Sequence, residues 1–413
     1  MITMAIDNKD KKVLKSSIER EQNEVACSAE CEKIKGSKNL NVPHLRFPEF
    51  SGEWDSFKLV ELGKFIGGGT PSSSNLSFWT GSIPWISSSD IKEDNINNIS
   101  ISRYITEDAI EKSATKYCPA PVILIVSRVG VGKVALSHTS LCTSQDFCNI
   151  IDIKCHPVFL SYNLLRTMKR KSREVQGTSI KGITSDELQK IRVFIPKNKD
   201  EQNKISNLLT LLDERIATQN KIIEDLKKLK SAIRKKMFSL LKDEYTESFE
   251  INQLLDYEQP TAYIVANDEY STDTSLTPVL TANKGFILGY TDEKFGIYQK
   301  GECIIFDDFT MDAKYVSFPF KVKSSAIKIL TAKPNVNLRF MFEYLSYWEL
   351  KSEEYKRHYI SEIASLVIEL PSKERQSIIA SLMTSLNSKL DIEAKTKIRY
   401  EEQKRYLLSQ MFI

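Results

Sequence analysis

Two segments of the chain, residues 201–238 and 375–412, place apolar side chains at alternating intervals of three and four residues. An average period of 3.5 residues is typical of a coiled-coil seam, so each segment is predicted to be one long helix that pairs with another helix. Neither segment contains a proline. The seam positions that we expect to pair the helices are Leu209, Leu212, Ile216, Ile223 and Leu226 in the first and Met383, Leu386, Leu390 and Leu407 in the second.

The two helical segments are copies of one another. They align without a gap at an offset of 174 residues, which matches Gln202 with Gln376 and Met237 with Met411. Polar residues interrupt both seams at matching places, Gln219 with Glu393 and Lys230 with Lys404. Polar seam residues lower stability but help to specify register and partner. The repeat predicts that the chain is built from two related units.

A stretch of mixed character precedes each helix. Short β-like runs ("PVILIVS", "NIIDIK", "ECIIF", "SAIKIL") are followed by a helical stretch, "PVFLSYNLLRTMKRK" in the first block and "LRFMFEYLSYWELKSEEYKR" in the second. Each block closes with a strand and a proline, "IRVFIP" and "LVIELP". We therefore predict an α+β fold with two mixed α/β domains, each followed by a long helix. The two helices should pair antiparallel as a coiled coil and give the chain a pseudo-two-fold internal repeat.

Charge and composition narrow the functional classes. The net charge is only +4, but basic residues cluster in "RTMKRKSR" and "KKLKSAIRKK", as in proteins that contact phosphates of nucleic acid, although solvated helix faces carry similar runs. Seven cysteines and a polar amino-terminal stretch without an apolar core indicate free thiols and a cytoplasmic location. No apolar run is long enough to span a membrane. The cysteines lack the paired spacing of a zinc site, so no metal is expected.

Two short motifs resemble catalytic signatures without meeting their requirements. In "VSRVGVGKVAL", a Walker-type phosphate loop would need glycine at Ser127 and a hydroxyl residue at Val134. The stretch therefore predicts a strand, a glycine turn carrying Arg128 and Lys133, and a second strand. In "DDFTMDAK", Asp307 and Asp308 lie too close to Asp312 for a separate nuclease strand. We predict a strand-end loop there and no catalytic residue in the chain.

The order of several stretches resembles the specificity (S) subunits of type I restriction–modification systems. These are "VPHLRFPEFSGEWDSFKLVELGKFIGGGTP", "FWTGSIPWISSSDI", "SRVGVGKVAL" and "GTSIKGITSDELQKIRVFIP" before the first helix. The second block contains "YEQPTAYIV", "TPVLTANKGFILGYTDE" and "IIFDDFTMDAKYVSFPFKVKSSAIKILTA". The resemblance covers the chain from about Val42 to Ile413. It implies recognition domains over 42–196 and 243–371 and spacer helices over 197–242 and 372–413. Residues 1–41 fall outside the resemblance and are expected to be a disordered extension or a mis-set start.

The resemblance also implies a function without chemistry of its own. Each recognition domain would read one half of a split sequence in double-stranded DNA, and the helices would set the spacing and dock two methyltransferase (M) subunits. S-adenosylmethionine would bind the M subunits, and restriction (R) subunits would use ATP and Mg²⁺, so no cofactor is expected in this subunit. Because the two blocks differ in sequence, the target should be asymmetric. The alternatives are a coiled-coil scaffold with two protein-binding globules and a nucleotide-dependent enzyme.

Candidate DNA-binding residues are donors in predicted loops and turns, because base edges and phosphates are reached by such side chains. In the first domain they are Thr70, Ser87, Ser88, Arg128, Lys133, Thr178 and Lys181. In the second they are Thr281, Lys284, Lys314, Lys356, Arg357 and His358.

Overall fold

The computed structural model describes residues 41–176, 182–241, 246–281, 285–348 and 359–413. The fold divides into two compact units. The first comprises residues up to 214 together with 402–413, and the second comprises 215–401. Each unit thus includes part of both long helices. The boundaries predicted for the recognition domains and spacer helices remain predictions.

In the part of the first unit that the structure describes, ten strands and four shorter helices precede the first long helix. The strands are β1 (Asp55–Lys58), β2 (Lys64–Gly67), β3 (Ile83–Ile86), β4 (Arg103–Ile105), β5 (Tyr117–Cys118), β6 (Val122–Ile125), β7 (Val134–Ser137), β8 (Leu141–Thr143), β9 (Cys148–Ile151) and β10 (Arg192–Ile195). The helices are α1 (Leu59–Leu62), α2 (Glu107–Glu111), α3 (Pro157–Gln176) and α4 (Ser185–Lys190), followed by the long α5 (Lys199–Leu240).

Among the described residues, two four-stranded sheets form the globular part of the first unit. Their strand orders are β2-β9-β6-β7 and β4-β3-β8-β5, and β1 pairs with β10 separately. Strands β6 and β9 are buried along their whole length, as expected for continuous apolar runs covered on both faces. The core under the first sheet continues from Trp54 and Phe159 to Ile205 and Leu209 of α5 and to Met411 beyond α8 (Lys373–Gln410).

Among the described residues, the second unit repeats this sheet arrangement with one strand fewer. Its strands are β11 (Glu247–Glu250), β12 (Leu255–Glu258), β13 (Thr277–Leu280), β14 (Ile287–Thr291), β15 (Cys303–Asp307), β16 (Ala313–Val316), β17 (Lys321–Val322), β18 (Ile327–Ala332) and β19 (Val367–Leu370). Its shorter helices are α6 (Ile251–Leu254) and α7 (Leu338–Tyr347). The sheets have the orders β12-β18-β15-β16 and β14-β13-β17, and β11 pairs with β19.

The long helices pair antiparallel. In the first unit, Leu209 near the start of α5 shares a core with Leu407 near the end of α8. In the second unit, Ile233 near the end of α5 shares a core with Met383 near the start of α8. The predicted seam residues are buried or half-buried, whereas Leu211, beside the seam, is 57% exposed. The fold class and the antiparallel helix pair predicted from the sequence are confirmed.

Each unit anchors a long helix to its globular part through an equivalent glutamine. Gln202 Nε2 donates to the Pro196 carbonyl (2.9 Å), and Gln202 Oε1 accepts from the His156 backbone N–H (3.0 Å). In the second unit, Gln376 Nε2 donates to the Pro371 carbonyl (2.9 Å) and Gln376 Oε1 accepts from the Asn337 backbone N–H (2.9 Å). The glutamine repeat seen in the sequence is therefore a repeated contact.

Each lysine that interrupts a seam lies near a buried carboxylate. In the first unit, buried Lys404 of α8 forms an ion pair with buried Asp213 of α5, and the Tyr162 hydroxyl of α3 donates to the same carboxylate (2.7 Å). In the second unit, Lys230 of α5 lies 4.0 Å from the carboxylate of buried Glu343 on α7. Both lysines thus face a buried acid in the unit to which they belong.

The remaining polar seam position joins the two helices directly. Gln219 Nε2 donates to the Glu393 carbonyl (3.1 Å) and also to its carboxylate. These two residues occupy equivalent positions of the repeat, 174 residues apart. Equivalent residues that meet in an antiparallel pair lie on its pseudo-two-fold axis, so this contact marks the axis of the pair.

Candidate DNA interface

The glycine turn between β6 and β7 exposes one cation and secures another. Gly130 (φ +90°) and Gly132 (φ +113°) adopt the left-handed conformation that favours glycine. Arg128 is exposed on this turn, and among the described residues its side chain has no partner. Lys133 is half-buried, and its Nζ donates to the Ser88 carbonyl (3.0 Å). The strand–turn–strand predicted here is confirmed, and Arg128 is the cation that the turn presents to solvent.

Ser87 belongs to a polar cluster that shapes the neighbouring turn. Its hydroxyl accepts from Arg103 (2.7 Å) and donates to the Asp90 carboxylate (3.1 Å), which forms an ion pair with the same arginine. The Arg103 guanidinium also lies 4.6 Å from the ring centre of Trp85. Ser87 and Ser88 therefore lie beside the glycine turn, held there by Arg103 and Lys133.

A second turn, residues 144–147 between β8 and β9, carries a residue that the sequence reasoning did not select. Gln145 is exposed at its tip, and the Thr70 hydroxyl donates to Gln145 Oε1. Thr70 and Gln145 are 75 residues apart in the chain. Thr70, a predicted DNA-binding residue, thus orients another side chain.

These two turns border one surface groove of the first unit, with a volume of about 460 Å³. Arg128 and Gln145 both line the groove. Its remaining walls are formed by the end of β2 and the residue after it, the two turns, the start of β9 and the segment that leads into α4, namely Gly67, Gly68, Ser127, Phe147, Cys148, Gly182, Ile183, Thr184 and Ser185. A cation, an amide and several hydroxyl groups around one groove are suited to hydrogen bonding with phosphates and base edges.

The predicted residues of the second unit are less concentrated. Thr281 is half-buried at the end of β13, and its backbone N–H donates to the Phe286 carbonyl (2.9 Å). Lys314 is half-buried on β16, in a different sheet. Thr178, Lys181, Lys284, Lys356, Arg357 and His358 lie outside the described residues. The structure therefore does not bring Thr281 and Lys314 onto one sheet.

The acidic stretch at the end of β15 has a structural role. Asp307 is buried and accepts from the backbone N–H groups of Phe309 (2.8 Å) and Thr310 (3.1 Å). Asp308 is buried, lies 3.5 Å from Lys328 Nζ and accepts from the Tyr359 backbone N–H (2.9 Å). The two carboxylates thus hold the end of β15 and the backbone of Tyr359.

Five cysteines lie within the described residues, and all are free thiols. Burial raises the pKa of Cys118 to about 11 and that of Cys142 and Cys303 to about 12, which keeps these thiols protonated at neutral pH. In the described part of the chain no three histidine, cysteine or acidic residues group as a metal site. No helix among the same residues is long and apolar enough to cross a bilayer.

Comparison with curated proteins finds specificity subunits. The chain is 38% identical over 178 residues to the type I restriction enzyme EcoR124I/EcoR124II specificity subunit of Escherichia coli, an alignment covering 38% of this chain and 43% of that protein. It is 32% identical over 222 residues to the type I restriction enzyme MjaIX specificity subunit of Methanocaldococcus jannaschii, covering 52% of this chain and 50% of that protein. The chain thus spans half or less of the length of these two relatives.

Solved structures share the fold. An S subunit of a type I restriction–modification system from M. genitalium superposes with a TM-score of 0.61 at 17% identity, covering 90% of this chain and 99% of that one. A chain from work on the complex assembly and conformational transition of the type I R-M system has a TM-score of 0.55 at 13% identity, covering 89% and 99%. At these identities the likeness concerns the fold alone.

A family match accounts for both units. Residues 51–228 and 244–402 each match the family described as "Type I restriction modification DNA specificity domain". The two matched ranges together include both sets of sheets and most of both long helices. The chain therefore belongs to the family of type I restriction–modification DNA specificity domains, of which it carries two copies.

Proposed function

We propose that this chain is the DNA-recognition subunit of a type I restriction–modification complex. Each recognition domain reads one half of a bipartite target in double-stranded DNA, and the paired helices set the distance between the halves. The observation that carries the proposal is the presence of two specificity domains in one chain, each joined to one helix of an antiparallel pair. As DNA is the ligand, the protein works where the chromosome lies, in the cytoplasm.

The difference between the two units supports an asymmetric target. The first unit has two four-stranded sheets, whereas the second has a four-stranded and a three-stranded sheet. The β2-β9-β6-β7 and β12-β18-β15-β16 sheets share one strand order, but the turn that follows β6 reads "VSRVGVGK" whereas the turn that follows β15 reads "DFTMD". Two identical domains related by a two-fold axis would read a palindrome. Two unlike domains read two different half-sites.

The chemistry of the complex belongs to its partners. Two M subunits dock on the helices and methylate adenine with S-adenosylmethionine, and R subunits hydrolyse ATP in the presence of Mg²⁺ to translocate and cut DNA. This subunit is not an enzyme and holds no cofactor. The exposed apolar residues beside the seam, such as Leu211 and Ile392, support a docking role for the helices.

Mapping of methylated adenines tests the proposal. The chain is expressed with its M subunit in a host without other adenine methyltransferases. We expect methylation at one asymmetric motif made of two short sequences separated by a constant gap. If a tagged chain co-purifies with proteins but no motif is methylated or footprinted, the scaffold is favoured instead. ATP turnover by the purified chain without partners would favour the nucleotide-dependent enzyme.

The salt dependence of DNA affinity tests the role of Arg128. The complex should bind DNA less tightly as salt rises, because phosphate contacts release counterions. If Arg128 contacts a phosphate, Arg128→Ala should weaken binding to all sequences equally and lower the salt slope by about one. Lys154→Ala is the matched control, because exposed Lys154 lies beyond Ile151, at the end of the β2–β9 pair opposite Gly67 and Cys148. Equal effects of the two variants would contradict a groove-specific contact.

A further inference from the structure

We propose that Gln145 is a base-reading residue of the first recognition domain and that it recognises adenine through the major groove. The inference rests on the proposed function of the chain and assigns a base class to one position of the first half-site. It is drawn from the turn on which Gln145 lies, the contact that orients its amide, and the groove that it lines with Arg128.

The amide of Gln145 is held in one orientation. The Thr70 hydroxyl donates to Oε1, which leaves the second lone pair of Oε1 and both Nε2 hydrogens available. Among the described residues, Nε2 has no partner. An exposed glutamine normally samples many rotamers, and ordering such a side chain on binding costs free energy. The contact with Thr70 lowers this cost because the amide is oriented before DNA binds.

The turn beneath Gln145 is held by backbone hydrogen bonds. The Asp146 carbonyl accepts from the backbone N–H groups of Ser127 (2.8 Å) and Arg128 (3.3 Å). The Ser144 N–H donates to the Ile86 carbonyl (2.9 Å), and the Phe147 N–H donates to the Ser144 carbonyl (3.3 Å). The same bonds that fix the turn of Gln145 therefore fix the start of the segment that carries Arg128.

The residue after β2, Gly68, lies close to the turn of Gln145 because glycine has no side chain. A Cβ atom at Gly68 would overlap the Ser144 carbonyl and the Thr143 side chain. Gly67 has open space around its Cα. The two glycines thus let β2 pack against the turn and leave the groove beside Gln145 unobstructed.

The hydrogen-bonding groups of glutamine match those of adenine. In the major groove, adenine presents N7 as an acceptor and the N6 amino group as a donor, and a glutamine amide pairs with both at once. Gln145 Nε2 donates to N7, while Oε1 accepts from N6 and keeps its bond from Thr70. Arg128, in the same groove, is placed to contact the adjoining phosphate or a guanine.

Variants of the full chain, expressed with the M subunit, test the assignment by methylome mapping and by binding to a randomised target library. We expect Gln145→Ala to relax one adenine position of one half-site, with a loss of discrimination of about ten- to a hundredfold there and little change elsewhere. Gln145→Glu should favour cytosine at that position, because a carboxylate accepts from cytosine N4. Thr70→Val, which removes the orienting hydroxyl, should weaken discrimination at the same position.

The outcomes separate this inference from the proposed function. Loss of the bipartite motif in the parent complex itself would overturn both. A normal parent motif with equal weakening at every position in Gln145→Ala would make Gln145 a phosphate contact and overturn the inference alone. An unchanged motif in Gln145→Ala would also overturn it. Thermal unfolding of each variant, with Lys154→Ala as a surface control, distinguishes a lost contact from a lost fold.

Discussion

At the residue scale, His156 shows how the repeat uses different side chains for one task. His156 Nδ1 accepts from the Phe159 backbone N–H (3.3 Å) at the start of α3, and the Ser206 hydroxyl lies 3.0 Å from the same nitrogen. In the second unit, Asn337 Oδ1 accepts from the Phe340 N–H (3.0 Å) at the start of α7. A histidine and an asparagine therefore cap equivalent helices.

The histidine cap predicts that the stability of the protein depends on pH. Substitution of His156 by asparagine should remove this dependence. Burial lowers the pKa of His156 below 6.5, so the unfolded chain takes up the proton first as pH falls. The contribution of neutral His156 to stability is complete above pH 6.5 and is lost as pH falls through the lowered pKa. His156→Asn should abolish this dependence and keep the cap, whereas His156→Ala should cost about 1 kcal/mol at neutral pH.

Denaturant unfolding of the three proteins between pH 5 and pH 8 measures both effects. If the asparagine variant loses stability with falling pH as steeply as the parent, His156 is not the titrating group.

At the element scale, the sequence predicted which residues of the two long helices form the seam, but not which side chains from other parts of the chain contact them. The 3.5-residue period identified the seam, and the offset of 174 residues matched Gln219 with Glu393. The strands were equally predictable as apolar runs, because such runs become buried β6, β9 and β15. Periodicity says nothing about partners remote in sequence, however. It could not show that Lys404 meets Asp213, 191 residues earlier, or that Thr70 orients Gln145.

The buried Lys404–Asp213 pair should contribute strongly to the first unit. Lys404→Met leaves the Asp213 carboxylate buried with Tyr162 as its remaining donor among the described residues, and it also removes the bond from Lys404 Nζ to the Asp94 carbonyl (2.6 Å). We expect a loss of about 3–5 kcal/mol in the free energy of unfolding. The double variant Lys404→Met/Asp213→Asn should recover much of it, because the unpaired charge is gone. Chemical denaturation measures both, and a double variant no more stable than the single one would contradict the assignment.

The contact between Gln219 and Glu393 can be tested by introducing a second negative charge. Lys389 and, to a smaller extent, Gln219 donate hydrogen bonds to the Glu393 carboxylate. These bonds lower the pKa of Glu393, so this carboxylate is ionised at neutral pH. Gln219→Glu would place two carboxylates face to face and lower the melting temperature. Lowering the pH should partly restore it, since one carboxyl then takes up a proton.

Exchange of the two residues, Gln219→Glu/Glu393→Gln, should restore the melting temperature at neutral pH. A double variant that melts as low as Gln219→Glu would show that the two side chains do not interact across the pair.

At the scale of the whole molecule, the two units place their buried acid on different elements. The shift that relates His156 to Asn337 takes Tyr162 to Glu343, and the helix repeat takes Asp213 to Asn387. The first unit therefore has tyrosine on α3 and the acid on α5, whereas the second has the acid on α7 and asparagine on α8, with Asn387 Nδ2 donating to Glu343 (3.2 Å). Each arrangement presents one carboxylate to a seam lysine, and in the second unit Arg234 of α5 forms the closer ion pair with Glu343 (2.8 Å).

Because the two units place the buried acid on different elements, recombination between such chains can bring incompatible residues together. A crossover at Pro196, between the recognition domain and α5, would separate Tyr162 from Asp213, and a new domain that brings glutamate to position 162 would oppose Lys404 with two acids. Tyr162→Glu should therefore unfold more readily than the parent, and Tyr162→Glu/Asp213→Asn should restore much of the stability because a single carboxylate then faces Lys404. Chimaeras between related chains measure this effect through their yield of folded protein. Those that inherit a recognition domain together with the first half of its own helix should give the higher yield.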